Sequence, residues 1–296
     1  MATRRGDPGI SFDHGAQYFT ARDPHFQRCV QAWIEQGIVA EWTGAIAEID
    51  AGEAAPPQVR AKLDQPQRFV AIPGMTAIAR HLAADLPLQL DTRIARASLD
   101  GGSWKLLDEA GRQHGPFDQL VVSFPAPQSA TLLADHPFAP EIQAVAMTPC
   151  WTVMAAFTQP ISAAWDGAFV HHSSLGWVAR NSSKPGRNAS AECWVFQATA
   201  AWSTAHLETP RAEIPALLLA EFQRLVGSEL PPTTYLEAHR WMYSATATQS
   251  EKNTISEQRV LFDPARKLAV CGDWICGGRV EGAFLSGLAA ADAASA

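Results

Sequence analysis

Near its C-terminal end the chain runs Lys267-Leu-Ala-Val-Cys-Gly-Asp-Trp-Ile-Cys-Gly-Gly-Arg-Val-Glu-Gly-Ala-Phe-Leu-Ser-Gly-Leu-Ala-Ala-Ala. Leu268 to Cys271 is an apolar run of strand length. Gly272-Asp273 ends it, and a glycine-bearing loop follows. From about Glu281, small residues alternate with Phe284, Leu285 and Leu288. The pattern predicts a strand, a tight loop, then a closely packed helix. Glycine at a strand end lets the backbone approach a ligand. An adjacent Asp accepts hydrogen bonds from sugar or ribityl hydroxyls. A helix start offers free N–H groups and partial positive charge, suited to phosphate or an electron-rich ring. The same stretch also fits a terminal helix docked on a sheet, with glycines serving turns alone.

The rest of the chain must supply the partners of this unit. Its 296 residues suffice for one large or two medium domains. A formal charge of -7 argues against nucleic acid or an anionic membrane as the main partner. No apolar run reaches membrane-spanning length, and the first residues show no apolar signal segment. Five cysteines, odd in number and without a CxxC pair, argue against a disulfide framework or zinc site and fit a reducing cytoplasm. Ten tryptophans against three tyrosines suggest a core, and in part an aromatic site, built on indoles.

In order along the chain, Ile10 to Phe19 reads as a strand running into a loop, with Gln17 and Tyr18 carrying hydrogen-bonding tips. Asp23-Pro24 caps a helix that places Phe26, Cys29, Val30, Trp33 and Ile34 on one face and stops at Gly37. Residues 38–50 look like strands, and 51–67 like a polar loop. A strand from Arg68, a short helix from Thr76, and strands at 94–99 and 104–107 follow, with a hairpin turn after Asp108. Leu120 to Phe124 reads as a fully buried strand, and a helix begins at Pro127. From about residue 140, tryptophan-rich strands dominate (151–157, 169–172, 176–179, 193–199), predicting an antiparallel sheet. An amphipathic helix opened by Thr209-Pro210 closes at Gly227. Another strand spans Tyr235 to Tyr243, and residues 246–258 read as a polar loop.

Several chemistries lack their motifs. No HExxH is present, and His171-His172 are read as pointing to opposite faces of a strand, so no metal site is expected. No GxSxG elbow appears. A complete GxGxxG fingerprint is missing as well. Arg180-Asn181 and His239-Arg240-Trp241 are the best substrate-side candidates, because polar groups among indoles suit a planar polar heterocycle. An ordinary surface strand is the alternative.

Taken in order, Met1-Ala-Thr-Arg-Arg, Asp13-His-Gly-Ala-Gln-Tyr-Phe-Thr-Ala-Arg-Asp, Ile72-Pro-Gly-Met, Val122-Ser-Phe-Pro-Ala-Pro-Gln, His239-Arg-Trp and Cys271-Gly-Asp-Trp-(x)4-Arg-Val-Glu-Gly-Ala-Phe-Leu-Ser-Gly resemble the bacterial renalase-like FAD-dependent oxidoreductases. These belong to the wider flavin amine oxidase group, and the likeness runs along the whole chain. It implies an α/β protein with a Rossmann-like FAD/NAD(P)-binding domain from residues 1–18, 68–135 and 258–296. An inserted substrate domain with an antiparallel sheet would come from 19–67 and 136–257. Gly272 and Asp273 would touch the ribityl-pyrophosphate part of FAD. Val280, Glu281, Gly282 and Ala283 would face the pyrimidine edge. Gln17 and Tyr18 would lie by the ring, with Arg4 on the cofactor side and Tyr18 also on the substrate side. Arg180, Asn181, His239 and Trp241 would line the substrate.

The implied reaction is oxidation of a reduced nicotinamide, NAD(P)H or an isomer, with O2 as acceptor and H2O2 released. The chemistry would be centred on the flavin, with no catalytic side chain assigned. Amine oxidation in the same fold is the near alternative. The chain departs from the family pattern at its front, where the first strand, glycine-rich turn and helix, about 30 residues in the general motif, are not seen. The expectation is therefore an FAD domain incomplete at the N-terminus. A third reading follows from it, a non-enzymatic fragment that does not hold FAD.

Overall fold

The computed structural model describes residues 1–6, 9–52, 56–63, 66–247 and 259–295. The first elements are β1 (Thr3–Arg5), β2 (Ser11–Asp13), α1 (Pro24–Glu35), β3 (Val39–Glu41), β4 (Ile46–Asp50), β5 (Gln58–Ala61), β6 (Phe69–Ala71) and α2 (Thr76–Leu82). Then come β7 (Ile94–Asp100), β8 (Ser103–Asp108), β9 (Gln113–Phe117), β10 (Leu120–Val122), α3 (Ala126–Leu132) and α4 (Ala139–Gln143). The strand-rich middle holds β11 (Met147–Phe157), β12 (Gly167–His171), β13 (Leu175–Arg180) and β14 (Glu192–Ala198), followed by α5 (Ala200–Ala205), α6 (Ile214–Val226) and β15 (Thr233–Thr246). The chain closes with β16 (Leu261–Asp263), β17 (Leu268–Val270) and α7 (Val280–Ser295). The class is α/β, as the sequence indicates.

The chain divides into two units: Met1–Ala84 with Pro149–Ser244, and Asp85–Thr148 with Ala245–Ala296. The first is built on a seven-stranded sheet of order β15-β11-β14-β13-β12-β4-β5. Antiparallel registers such as Met154↔Val195 and Ala168↔Val178 bear out the antiparallel reading of its centre. The sheet is nevertheless mixed, because β4 joins β12 in parallel. Helix α6 covers one face. Its Leu218, Phe222 and Leu225 meet Trp151, Phe157, Trp165, Trp194 and Phe196, all buried. Burying such large rings is the main stabilising term here. Pro215 sits in the first turn of α6, where its missing N–H costs nothing, and Gly227 ends the helix in the left-handed region at φ 73.

The Asp23 side chain accepts from the His25 and Phe26 N–H groups and so caps α1 as expected. The β1–β2 hairpin packs Phe12 with Met154, Ala156, Cys193 and Val195 in a second, smaller core.

The second unit holds a three-stranded sheet of order β10-β17-β16, with β10 parallel to β17, and the antiparallel β7-β8-β9 sheet. Trp104, Val122, Leu133, Ile142, Leu268 and Val270 form its core.

Five local expectations need correction. The helix expected to open at Thr209-Pro210 begins instead at Ile214, after a turn over 211–213. The supposed loop 51–67 contains β5, an exposed strand paired with β4. Leu120 to Val122 is not fully buried, since Val121 is 49% exposed and only Val122 is enclosed. His172 lies past the end of β12 at φ 55, so the opposite-faces argument reaches only His171. Helix α5 follows β14 directly, capped by the Thr199 hydroxyl, and was not anticipated. The loop expected at 246–258 lies almost wholly outside the described residues.

Candidate functional site

The first unit gathers several sequence-selected residues around one buried carboxylate. Asp13 closes β2 and is fully enclosed. Its Oδ1 accepts from the Thr3 hydroxyl at 2.7 Å and from the Met75 N–H at 2.9 Å. Its Oδ2 pairs with Arg187 and lies 3.5 Å from the Lys184 Nζ. Burial alone would raise the Asp13 pKa. Lys184, Arg187 and the Met75 N–H outweigh it, so the carboxyl titrates below its ordinary range. Lys184 is also fully enclosed. Burial, opposed by Asp13 and reinforced by Arg187, pulls its pKa down to about 8.

Lys184 ties two sequence-selected residues together. It donates to the Gln17 Oε1 at 3.1 Å and to the Asn181 Oδ1 at 3.0 Å. The Gln17 amide donates back to the Asp13 carbonyl. Asn181 Nδ2 donates to the Ser11 carbonyl at 2.8 Å, while its Oδ1 also receives the Asp13 N–H. Both ends of the Asn181 amide therefore hold the β1–β2 hairpin. Arg180 points elsewhere: its guanidinium lies 3.3 Å from Glu192 and 3.7 Å from Asp166, and over the Trp194 ring at 5.0 Å.

His239 and Trp241, on β15, meet His14. Ring centroids stand 4.3 Å apart for His239–Trp241, 5.0 Å for His14–His239 and 5.2 Å for the stacked His14–Trp241 pair. The Trp241 indole donates to the His14 carbonyl at 2.8 Å. Burial, then His239, lowers the His14 pKa to about 4, and burial and Arg4 lower that of His239. Both imidazoles are neutral at neutral pH. Arg4 is ion-paired with Glu237 on the same strand. Tyr18 belongs to a different ring group, with Trp177 at 5.4 Å, Trp42 at 6.2 Å and the Arg68 guanidinium at 5.2 Å.

The sequence reading passed over His14, Lys184, Arg187 and Arg68. A signal existed for two of them: Asn181-Ser-Ser-Lys-Pro-Gly-Arg leaves a buried strand with two cations on a proline–glycine turn.

In the second unit the strand–loop–helix of the opening stretch is present. The Cys271 N–H bonds the Val122 carbonyl, which extends the β10–β17 pairing to the edge of the loop. The Asp273 carbonyl accepts from Cys276 at 3.0 Å and Gly278 at 2.7 Å, coiling the loop back on itself. Gly277 and Gly278 take φ 89 and 70, which glycine alone adopts freely. At Gly282 a Cβ would stand 2.1 Å from the Cys276 carbonyl oxygen, so only glycine lets α7 start this close to the loop. Cys276 is enclosed. The Gly272 N–H donates to Ser286 Oγ, which donates to the Arg259 carbonyl.

Asp273 has no ion pair among the described residues, and burial raises its pKa. A desolvated carboxyl with no ion-pair partner among the described residues, on the loop that leads into α7, fits a ligand that brings hydroxyl donors and an electron-rich group. The residues expected to hold the ribityl chain and pyrimidine edge of a flavin thus suit that group. Among the described residues no cluster of three His, Cys, Asp or Glu could hold a metal ion, and no helix is long and apolar enough to cross a membrane.

Comparison with known proteins adds a family. The family described as flavin containing amine oxidoreductase matches residues 56–295. Among solved structures, a triple mutant of putrescine oxidase from a redesign of cofactor binding aligns with TM-score 0.68 and 10% identity, covering 98% of this chain and 89% of that one. A protein assigned as a protoporphyrinogen oxidase from Exiguobacterium sp. 255-15 aligns with TM-score 0.56 and 14% identity, covering 76% of this chain. This chain spans about half the length of that protein, 53%. At such identities the likeness is one of fold.

Proposed function

Because the chain belongs to the flavin-containing amine oxidoreductase family, we propose that it is an FAD-dependent oxidoreductase of renalase type. It oxidises a reduced nicotinamide, NAD(P)H or an isomer, with O2 as acceptor and H2O2 as product. When bound, FAD would supply the two-electron redox chemistry between substrate and O2. The chain's own residues bind and orient.

In this reading the FAD domain comprises 1–18, 68–135 and 258–296, and the substrate domain 19–67 and 136–257. Asp273 accepts from ribityl hydroxyls, Gly272 lets the backbone approach, and Val280 to Ala283 turn the positive end of α7 toward the pyrimidine edge. Gln17 is a cofactor-side residue whose amide Lys184 and the Asp13 carbonyl hold in one orientation. Arg4 also belongs to the cofactor side. Tyr18, Arg180, Asn181, His239 and Trp241 serve the substrate side, Asn181 through the hairpin it fastens. No side chain is assigned as an acid or base. The five cysteines, none in a disulfide, suit a bacterial cytoplasm.

The observation that carries the choice of substrate is the His14–His239–Trp241 group. It offers flat rings at stacking distance and two neutral imidazoles, and the buried His14 Nδ1 has no hydrogen-bond partner. A dihydronicotinamide is flat, and its carboxamide can donate to such a nitrogen. Amine oxidation is the second reading, supported by the family's description and by the fold likeness to putrescine oxidase. Peroxide release on adding dihydronicotinamides or amines to the FAD-loaded protein separates them. Peroxide from amines alone would overturn the first reading.

A further inference from the structure

The Tyr18 ring group holds a charge the protein does not balance. Arg68 is 4% exposed, yet no carboxylate pairs with it among the described residues. Its Nη1 makes one long contact, 3.4 Å to the Pro66 carbonyl, and its buried Nε has no partner. The guanidinium lies over the Tyr18 ring at 5.2 Å. The Trp177 indole, 5.4 Å from Tyr18 between ring centroids, has a buried N–H that is likewise unpartnered. Trp42 completes the group; its backbone N–H bonds the Arg68 carbonyl at 2.7 Å and its indole N–H donates to the Ser183 Oγ at 3.1 Å. Lys184 sits over Trp42 at 5.6 Å. The enclosed Asp13 answers Lys184 and Arg187, whereas enclosed Arg68 has no carboxylate partner among the described residues. Nearby Arg180 changes nothing, being matched by Asp166 and Glu192.

A buried guanidinium without a counter-charge is costly. A buried indole N–H left unmade adds to that cost. Both costs vanish if an anion enters, since a guanidinium fork matches the two oxygens of a carboxylate or phosphate. We infer that Arg68 and the Trp177 N–H, with Tyr18 and Trp42 as aromatic walls, form a recognition site for an anionic group, a carboxylate or phosphate ester, carried by the substrate. The inference rests on the dihydronicotinamide reading only for calling the bound molecule the substrate. It also disfavours a polyamine there, because a cationic ligand would add to the surplus of positive charge.

The test is an equilibrium titration of the full chain with inorganic phosphate and, separately, with benzoate. It is followed by tryptophan fluorescence, which Trp42 and Trp177 report, and by the melting temperature. At least one anion is expected to give a saturable change and a rise in melting temperature, and the responding anion tells phosphate from carboxylate. R68Q is expected to bind that anion about tenfold more weakly or worse, with R68K less affected, and to melt no lower than the wild type without anion. W177F, which keeps the ring and loses the N–H, is expected to weaken binding too. A wild type that responds to neither anion, equal affinity in R68Q and W177F, or an R68Q chain that fails to fold would each overturn the inference. No flavin and no turnover are needed, so a failure of the functional reading leaves the titration readable. Flavin reduction by dihydronicotinamides together with unchanged anion affinity in R68Q would sink this inference alone.

Discussion

The Lys184 ammonium donates to the Gln17 side-chain carbonyl at 3.1 Å, with neither side chain open to water. A residue selected from sequence for the cofactor side is thus oriented by a buried lysine on a distant loop. Asp13, 3.5 Å away, favours the charged form of that lysine against the cost of its burial. The hairpin, the Asn181 turn and the Lys184–Arg187 loop are fastened at one carboxylate.

Removing that carboxylate should cost more than removing either cation. Asp13→Ala leaves Lys184 and Arg187 enclosed without a counter-charge, an expected loss of about 3–5 kcal/mol. Lys184→Ala keeps the Arg187 pair and orphans acceptors on Gln17 and Asn181, an expected loss of about 1–3 kcal/mol. Urea denaturation of the two variants measures the order. Equal losses would mean that Asp13 is not the centre of the cluster.

Lys184 also imposes a pH dependence of known sign. Its folded pKa, about 8, is depressed from 10.5. Below the folded value it is charged in both states, and the burial cost is felt in full. Between the two values the unfolded chain binds the extra proton, so stability rises with pH, by at most about 1.4 kcal/mol per pH unit. Above the unfolded value the rise ends. Lys184→Met should remove this alkaline rise, read as the difference between variant and wild-type urea midpoints across that window. Parallel curves would contradict it.

Two glycines of α7 should answer oppositely to alanine. Gly282→Ala drives a Cβ into the Cys276 backbone and should destabilise by about 3 kcal/mol or more. Gly287, exposed in the same helix with nothing within 4 Å of its Cβ position, should gain about 0.5–1 kcal/mol. Thermal melts of the pair compare them directly. A mild Gly282→Ala would mean that the loop yields and is no rigid seat for the helix.

What the sequence made legible was local chemistry. Asp23-Pro24 announces α1 because cap and proline act within one turn. Leu268 to Gly287 announces β17 and α7 because apolar run, glycines and helix are contiguous. β5 stayed hidden since Gln58-Val-Arg-Ala is an exposed strand that carries no apolar alternation. In the site, Gln17, His239 and Trp241 stood out by residue type. Their neighbours did not, because the His14 stack and the Lys184 bridge join segments far apart in the chain. Arg68 was invisible for a similar reason, since only burial distinguishes it from a surface arginine.

The most direct measurement mixes the FAD-loaded protein anaerobically with dihydronicotinamides and follows the flavin absorbance. The account expects rapid bleaching by at least one of them, and recovery with release of H2O2 when O2 is admitted. A protein that takes up FAD yet keeps its colour with every dihydronicotinamide, or one that takes up no FAD at all, would contradict it.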